Sequence, residues 1–207
     1  MTTYLTYDVL DVIQPSRDGN KLNSFERPFN MLDTVTGKRD SDANGPNPKV
    51  QFPFTWIAVG RTEIQTLKDF LIARRGRAVP FWVPSYQRDL RPNVDIGSGV
   101  AAFVIKRVGY STLMFNDSNG RRYIALYTTP SSTPVFRKVL SAAESGGGTT
   151  EDLTIDSTTP NGYNKDTCVI SFLKFCRLTD DENTLEWLDN NTVRCNLGIT
   201  EIPLEAP

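Results

Sequence analysis

The chain has 207 residues, of which 39% are hydrophobic and 23% are charged, with 23 basic and 24 acidic side chains. These values are typical of a globular protein with a proper core, and the net charge of −1 gives no overall attraction to nucleic acid or membranes. The sequence contains no histidine, which excludes Ser-His-Asp and Cys-His catalysis and every metal triad that needs histidine. Paired carboxylates, Ser-Lys chemistry and a lysine base stay open.

The first third of the chain is predicted to hold strands at residues 6–13 and 49–60, separated by a long irregular segment. Pro53 favours an edge position or a bulge in the second strand. The segment between them is rich in Asn, Asp, Gly and Pro and holds one short strand near residues 30–36. Its tip, residues 37–48, has no apolar residue larger than alanine, so we expect it to become ordered only against a neighbour.

One clear helix is predicted at residues 62–75. Its apolar side chains fall on one face at helical spacing: Ile64, Leu67, Phe70 and Leu71. Thr62 and Gln65 match a capping box at the start, and Gly76 stands where a left-handed cap belongs. Arginines occupy the last turn, where cations are stabilised by the helix dipole.

The stretch after the helix, "RAVPFWVPSYQRDL", is predicted to be an apolar strand bounded by Pro80 and Pro84. Phe81 and Trp82 point to opposite faces of this strand. An exposed Trp82 would mark a partner surface, whereas burial of both rings is the more common outcome.

The middle of the chain is predicted to form a meander or a small barrel, because short apolar stretches alternate with turn residues. The predicted strands are 100–108, 111–115, 121–129, 133–140 and 152–158. The glycine-rich residues 144–152 are expected to be a linker or a loop tip. A barrel of this kind, with the basic and aromatic stretch "RRYIALY", would be suited to binding single-stranded nucleic acid or sugar. Alternatively, Arg121 and Arg122 simply flank a strand.

The last part of the chain is predicted to return to the first. Residues 167–178 are apolar at nearly every position, and residues 192–203 alternate between apolar and polar. The expected fold class is therefore mainly β with one α-helix. A β-sandwich-like domain would be built from residues 1–94 and 160–207, with a barrel-like domain, residues 95–159, inserted into it. The three cysteines are interpreted as buried thiols.

No catalytic, metal-binding or cofactor-binding site is predicted. The densest carboxylate stretch, residues 179–187, has consecutive acids and no glycine, unlike a calcium loop, and is interpreted as a solvated acidic turn. No CxxC and no phosphate-binding loop occur. An enzyme that uses aspartate or glutamate is the weakest of the possible functions.

Two stretches resemble minor tail proteins of long-tailed bacteriophages, of the distal tail or tail-hub type. Residues 54–90 carry an aromatic strand, a helix, an "R-x-G-R" stop and "PFWVPS…DL". Residues 172–205 carry "RL-x-DD-x…E-W" and a strand that ends in "E-x-P". The resemblance covers roughly a third of the chain and is split around the middle.

The resemblance implies a structural virion protein at the tail tip, assembled in the cytoplasm of the host bacterium. Such proteins form a homo-oligomeric ring, commonly a hexamer, that connects the tail tube protein to the hub or baseplate and the fibres. No membrane and no specific nucleic acid are expected as partners. The alternative is an accessory protein that binds carbohydrate or nucleic acid through the central barrel.

A ring needs head-to-tail contacts between two different surface patches. The arginine-rich helix end is predicted to be one patch and the acidic turn the other. The arginines could instead bind an anion or neutralise the helix end. The candidate interface residues are Arg74, Arg75, Arg77, Trp82, Asp180, Asp181 and Glu182.

Overall fold

A computed structural model describes residues 2–10, 24–26, 29–33, 39–43, 49–116, 121–128, 133–202 and 205–207. The fold is mainly β with one α-helix, α1 (Arg61–Arg74), which confirms the predicted fold class. The strands are β1 (Thr3–Tyr4), β2 (Tyr7–Asp8), β3 (Ser24–Glu26), β4 (Phe29–Asp33), β5 (Arg39–Ala43), β6 (Lys49–Val59), β7 (Phe81–Pro84), β8 (Ala102–Lys106), β9 (Tyr123–Thr128), β10 (Val135–Ser145), β11 (Thr150–Ile155), β12 (Cys168–Leu178), β13 (Leu185–Asp189) and β14 (Thr192–Glu201). No helix among the described residues is long and apolar enough to span a bilayer.

The chain divides into two compact units, and the division falls within β12. The central unit comprises described residues within Met1–Gln14 and Phe81–Phe175, together with Pro207. The flanking unit comprises described residues within Pro15–Pro80 and Cys176–Ala206.

The central unit is a sheet in the order β12-β9-β10-β11-β8, closed by the segment that follows β7. In this segment Leu90 N donates to Ile170 O of β12 over 3.2 Å, and Asn93 N donates to Val104 O of β8 over 2.9 Å. One segment therefore contacts both edge strands, so the sheet closes into a small barrel. Its interior is filled by buried side chains that include Leu90, Ile105, Ile124, Leu126, Leu153 and Ile170.

This division differs from the predicted one, in which the inserted domain spans residues 95–159. Residues 81–94 belong with the barrel because they hydrogen-bond to β12, as Ser85 N does to Phe172 O over 2.8 Å. The first half of β12 belongs there too, because its residues pair with β9 in the register Ser171↔Ala125. These pairings link residues more than forty positions apart, which periodicity alone does not reveal.

The strand predicted at 111–115 is wrong, because Tyr110–Met114 form a π-helical turn. The carboxylate of Glu151, a residue of β11 with 0% exposure, accepts hydrogen bonds from the N–H groups of Val108, Tyr110 and Ser111 at 2.9–3.2 Å. The Ser111 hydroxyl donates to the same carboxylate over 2.8 Å. Glu151 thus satisfies amides at the start of the turn that would otherwise be buried without an acceptor.

The flanking unit contains a sheet in the order β3-β6-β14, with β13 and the end of β12 along the other edge of β14. The paired residues Trp56↔Cys195 and Ala58↔Val193 are all fully buried, on the face next to α1. The pair next to Trp56↔Cys195, Thr55↔Asn196, lies on the opposite face, where the two side chains hydrogen-bond over 2.8 Å. The predicted alternation along residues 192–203 is therefore confirmed for β14.

The ends of α1 differ from the predicted caps. The N-cap is Gly60 at φ 89°, and Glu63 Oε2 accepts from Val59 N over 3.0 Å. Gln65 instead donates to Asp69 Oδ1, so the Thr62–Gln65 capping box is wrong. At the C-terminal end Arg75 itself adopts the left-handed conformation, followed by Gly76, also at positive φ.

Several smaller predictions have definite outcomes. Residues 30–33 of the strand predicted near 30–36 lie in β4, which pairs with β5 inside the tip that was expected to become ordered only against a neighbour. Residues 34–36 of that predicted strand, residues 37–38 and 44–48 of the tip, and residues 11–13 of the first predicted strand lie outside the described residues. The glycine-rich stretch is the tip of the β10–β11 hairpin. The three thiols are free and buried, and burial raises the pKa of Cys168 and of Cys195 to about 11.

Replacing Glu151 with Gln should destabilise the central unit by about 1–3 kcal/mol near neutral pH. The NH2 group of the glutamine cannot accept hydrogen bonds, so buried N–H donors that now bind the carboxylate lose their acceptor. Urea unfolding followed by circular dichroism measures this. Glu144→Gln is the control, since that carboxylate is more than a third exposed and pairs with Arg107 over 2.9 Å. Equal losses in the two variants would contradict the role given to Glu151.

The same carboxylate predicts a pH dependence. Burial raises the pKa of Glu151, but the hydrogen bonds from Ser111, Val108 and Tyr110 outweigh it and leave that pKa below its ordinary value. The stability it contributes is therefore complete above the ordinary glutamate pKa and is lost as the pH falls through the lower folded pKa. We expect unfolding series between neutral pH and about pH 3 to show this loss in the wild type and not in Glu151→Gln.

Candidate interaction site in the flanking unit

The carboxylate of Asp181, in the turn after β12, binds the segment that follows α1. Arg77 N donates to Oδ1 over 2.9 Å, Arg77 Nε lies 3.3 Å from both carboxylate oxygens, and Nη2 lies 3.0 Å from Oδ2. The backbone and side-chain hydrogen bonds from Arg77 lower the pKa of Asp181. Both side chains are more than 60% exposed, so solvent and salt screen the attraction, and the backbone bond carries the geometric constraint.

Gly76 permits this close approach. Its φ of +63° is a left-handed conformation that costs other L-residues free energy. A Cβ at this position would overlap Asp181 Oδ1 and lie 3.1 Å from the Asp181 Cα. Glycine is therefore required here both by the backbone conformation and by the neighbouring carboxylate.

Arg177, on β12, donates to backbone carbonyl groups of the same segment. Its Nη1 donates to Arg77 O over 3.1 Å and also to Ala78 O. Its Nη2 donates to Glu205 Oε2 over 2.6 Å, which orients the guanidinium. We call the contacts among Gly76, Arg77, Arg177 and Asp181 the clasp.

Two of the predicted interface residues are buried in their own units. Arg74 is 3% exposed, its Nη1 donates to Pro80 O over 3.1 Å, and its guanidinium lies 4.8 Å from the centre of the Phe70 ring. Trp82 is 0% exposed, and its Nε1 donates to Tyr4 O over 3.0 Å. Arg74 is therefore not a solvated helix-end charge, and Trp82 is not a surface residue. Burial of both Phe81 and Trp82 is confirmed.

The other predicted interface residues lie at the surface. The helix end and the acidic turn are joined through Arg77 and Asp181 of one chain, whereas the contact predicted between neighbouring subunits stays a prediction. Because these two patches adjoin, they are poorly suited to be the two separate halves of a head-to-tail contact. Arg75, Asp180 and Glu182 are exposed, and no ion pair involves them among the described residues.

The edge strand β13 is a surface feature that sequence reasoning missed. Trp187 is 55% exposed and Leu188 is 44% exposed, although both lie in a strand. Trp187 pairs in register with Val193, so it extends the helix-covered face of the sheet, and Lys68 Nζ of α1 lies 5.4 Å from the centre of its ring. The alternation in "LEWLD" was the signal for this strand, but it was grouped with the acidic turn.

The stretch "RRYIALY" in the central unit offers no exposed stacking surface. Tyr123 and Tyr127 are each 8% exposed, and the Arg122 guanidinium lies 4.9 Å from the centre of the Phe115 ring. Nucleic-acid or sugar binding by stacking on these rings has no support here. In the part of the chain that the structure describes, no three Cys, Asp or Glu side chains are grouped to hold a metal ion.

Gly76→Ala should destabilise the flanking unit by about 1–2 kcal/mol from the left-handed backbone alone, and by more from overlap with Asp181. Gly147→Ala is the matched control, because Gly147 has φ +64° and nothing within 4 Å of the added Cβ. Calorimetry of both variants separates the two effects. A loss in Gly76→Ala no larger than that in Gly147→Ala would contradict the close contact.

Neither a protein-family model nor a curated protein matches the chain. The resemblance to phage tail proteins therefore stays a prediction that depends on its two motifs. The clasp shows what the motif residues do in this chain: Arg77 of the first motif binds Arg177 and Asp181 of the second, and Gly76 leaves the room that Asp181 needs.

Proposed function

We propose that the protein is a structural component of a bacteriophage tail tip. In this proposal it forms a homo-oligomeric ring, most simply a hexamer, between the tail tube and the hub or baseplate and fibres. The observation that carries the proposal is the clasp. The two stretches that resemble tail proteins are far apart in sequence, yet their motif residues join in one unit.

A structural role is also consistent with what the motif residues do chemically. The arginines and the aspartate of the clasp are engaged with backbone groups and with each other, so their charges serve the fold. The same unit presents an edge strand with an exposed tryptophan, and exposed edges of this kind suit assembly.

Electron microscopy of the purified protein, alone and mixed with the tail tube protein of its own particle, tests this proposal. We expect closed rings, either at high protein concentration or once the tube protein is added. Light scattering should give a mass that is an integral multiple of 23.2 kDa. A protein that stays monomeric with every tail component of its particle would contradict the ring.

Arg75 and Arg77 should differ in their effects on assembly. Arg75→Ala removes an exposed charge without a described partner, and we expect it to weaken ring formation about tenfold with little change in melting temperature. Arg77→Ala removes a charge that Asp181 already neutralises, while the backbone N–H of residue 77 can still donate to Asp181, so this variant should change assembly less than Arg75→Ala. Arg61→Ala, at the opposite end of α1, is the control. Sedimentation velocity at low and high salt measures assembly, and equal assembly of Arg75→Ala and wild type would remove Arg75 from the interface.

A further inference from the structure

The outer edge of β13 is open for backbone hydrogen bonding. β13 pairs with β14 along one edge in the register Leu185↔Cys195 to Asp189↔Thr192, and no described residue pairs with its other edge. An edge strand presents unpaired N–H and C=O groups in a row, which an extended segment of another chain can complete.

The charge around this edge is predominantly negative. Residues 180–189 contain five carboxylates and no lysine or arginine. Arg77 engages Asp181, and Arg194 lies 3.6 Å from Glu186. No described ion pair involves Asp180, Glu182 or Asp189, so the strand and its approach keep a net negative charge.

The two faces of β13 differ in what they can contact. Trp187 lies on the face next to α1, and Lys68 already approaches its ring at 5.4 Å, so this ring accepts cations and apolar side chains. Glu186 pairs in register with Arg194 and lies on the opposite face. A strand added to this edge would place alternate side chains beside Trp187 and beside Glu186.

We propose that β13 binds an extended basic segment of a different protein chain, which adds to the sheet as a further strand. Lysine or arginine side chains of this segment face Glu186, and apolar or cationic side chains lie against Trp187. The β13 strand of a second copy is disfavoured as the occupant because it brings the same carboxylates, and like charges across strands repel. The inference concerns the chemistry of the partner and holds whether or not the particle is a phage tail.

A synthetic peptide of about ten residues, a common strand length, in which lysine alternates with valine, is the probe. The matched control peptide carries glutamate in place of lysine. The full-length protein supplies its own reporter, because two of its three tryptophans, Trp56 and Trp82, are fully buried while Trp187 is 55% exposed. We expect the lysine peptide to shift tryptophan emission to the blue, to protect Trp187 from acrylamide and to slow amide exchange in β13. The glutamate peptide should do none of these.

Affinity is measured by the anisotropy of a labelled lysine peptide. Trp187→Ala and the double variant Asp180→Lys/Glu182→Lys should each weaken binding about tenfold or more. Leu113→Ala, which changes a side chain 71% exposed in the central unit, should leave binding unchanged. The proposal is overturned if both peptides bind equally, if neither binds at low salt, or if β13 is already protected in a homodimer of the free protein. Circular dichroism of each variant confirms that it is folded.

Discussion

The path of the chain after α1 depends on one carboxylate, that of Asp181, bound to the backbone and side chain of Arg77. The constraint is steric as much as electrostatic. Gly76 must be left-handed and must lack a Cβ for the chain to pass this close to Asp181. Arg177 then takes the carbonyls of the same segment. The end of the helix is thereby held to the end of β12 and to the turn before β13, which lie about a hundred residues later in sequence.

The elements of this fold that follow from local pattern were predictable, and those that follow from distant partners were not. The apolar positions Ile64, Leu67 and Phe70 identify the helix, and alternation identifies β14, because burial of one face sets both patterns. The π-helical turn at Tyr110–Met114 was predicted as a strand because its acceptor, Glu151, lies forty residues away.

Prediction of the candidate interface is limited in the same way, because its contacts also join residues that are distant in sequence. The acidic turn and the arginines were predicted to pair between neighbouring subunits, whereas Arg77 and Asp181 pair within one chain. Arginine at a helix end is commonly solvated, whereas Arg74 is buried over Phe70 and donates to the Pro80 carbonyl, a placement that depends on the path of the chain after the helix. The exposed Trp187 was missed because its strand follows an acidic turn closely in sequence.

The contacts of the clasp and of the core show which charged side chains serve the fold and which are available to partners. The charges of Arg77, Arg177 and Asp181 are committed to the clasp, and Arg74 is committed to the core. What stays at the surface is the charge of Arg75, Asp180 and Glu182, together with the open edge of β13. The proposed ring contact and the proposed basic partner strand would both use these surface groups, at different patches of one compact unit.

The most direct test of this account is the exchange rate of a single amide, that of Arg77, measured by hydrogen exchange with NMR detection. The account predicts that this amide is protected in the wild type because it donates to Asp181. In Asp181→Ala it should exchange much faster, while the amides of β14 that pair with β6 stay protected. An Arg77 amide that exchanges as fast as in an unfolded peptide in the wild type, or at the same rate in both proteins, would contradict the clasp.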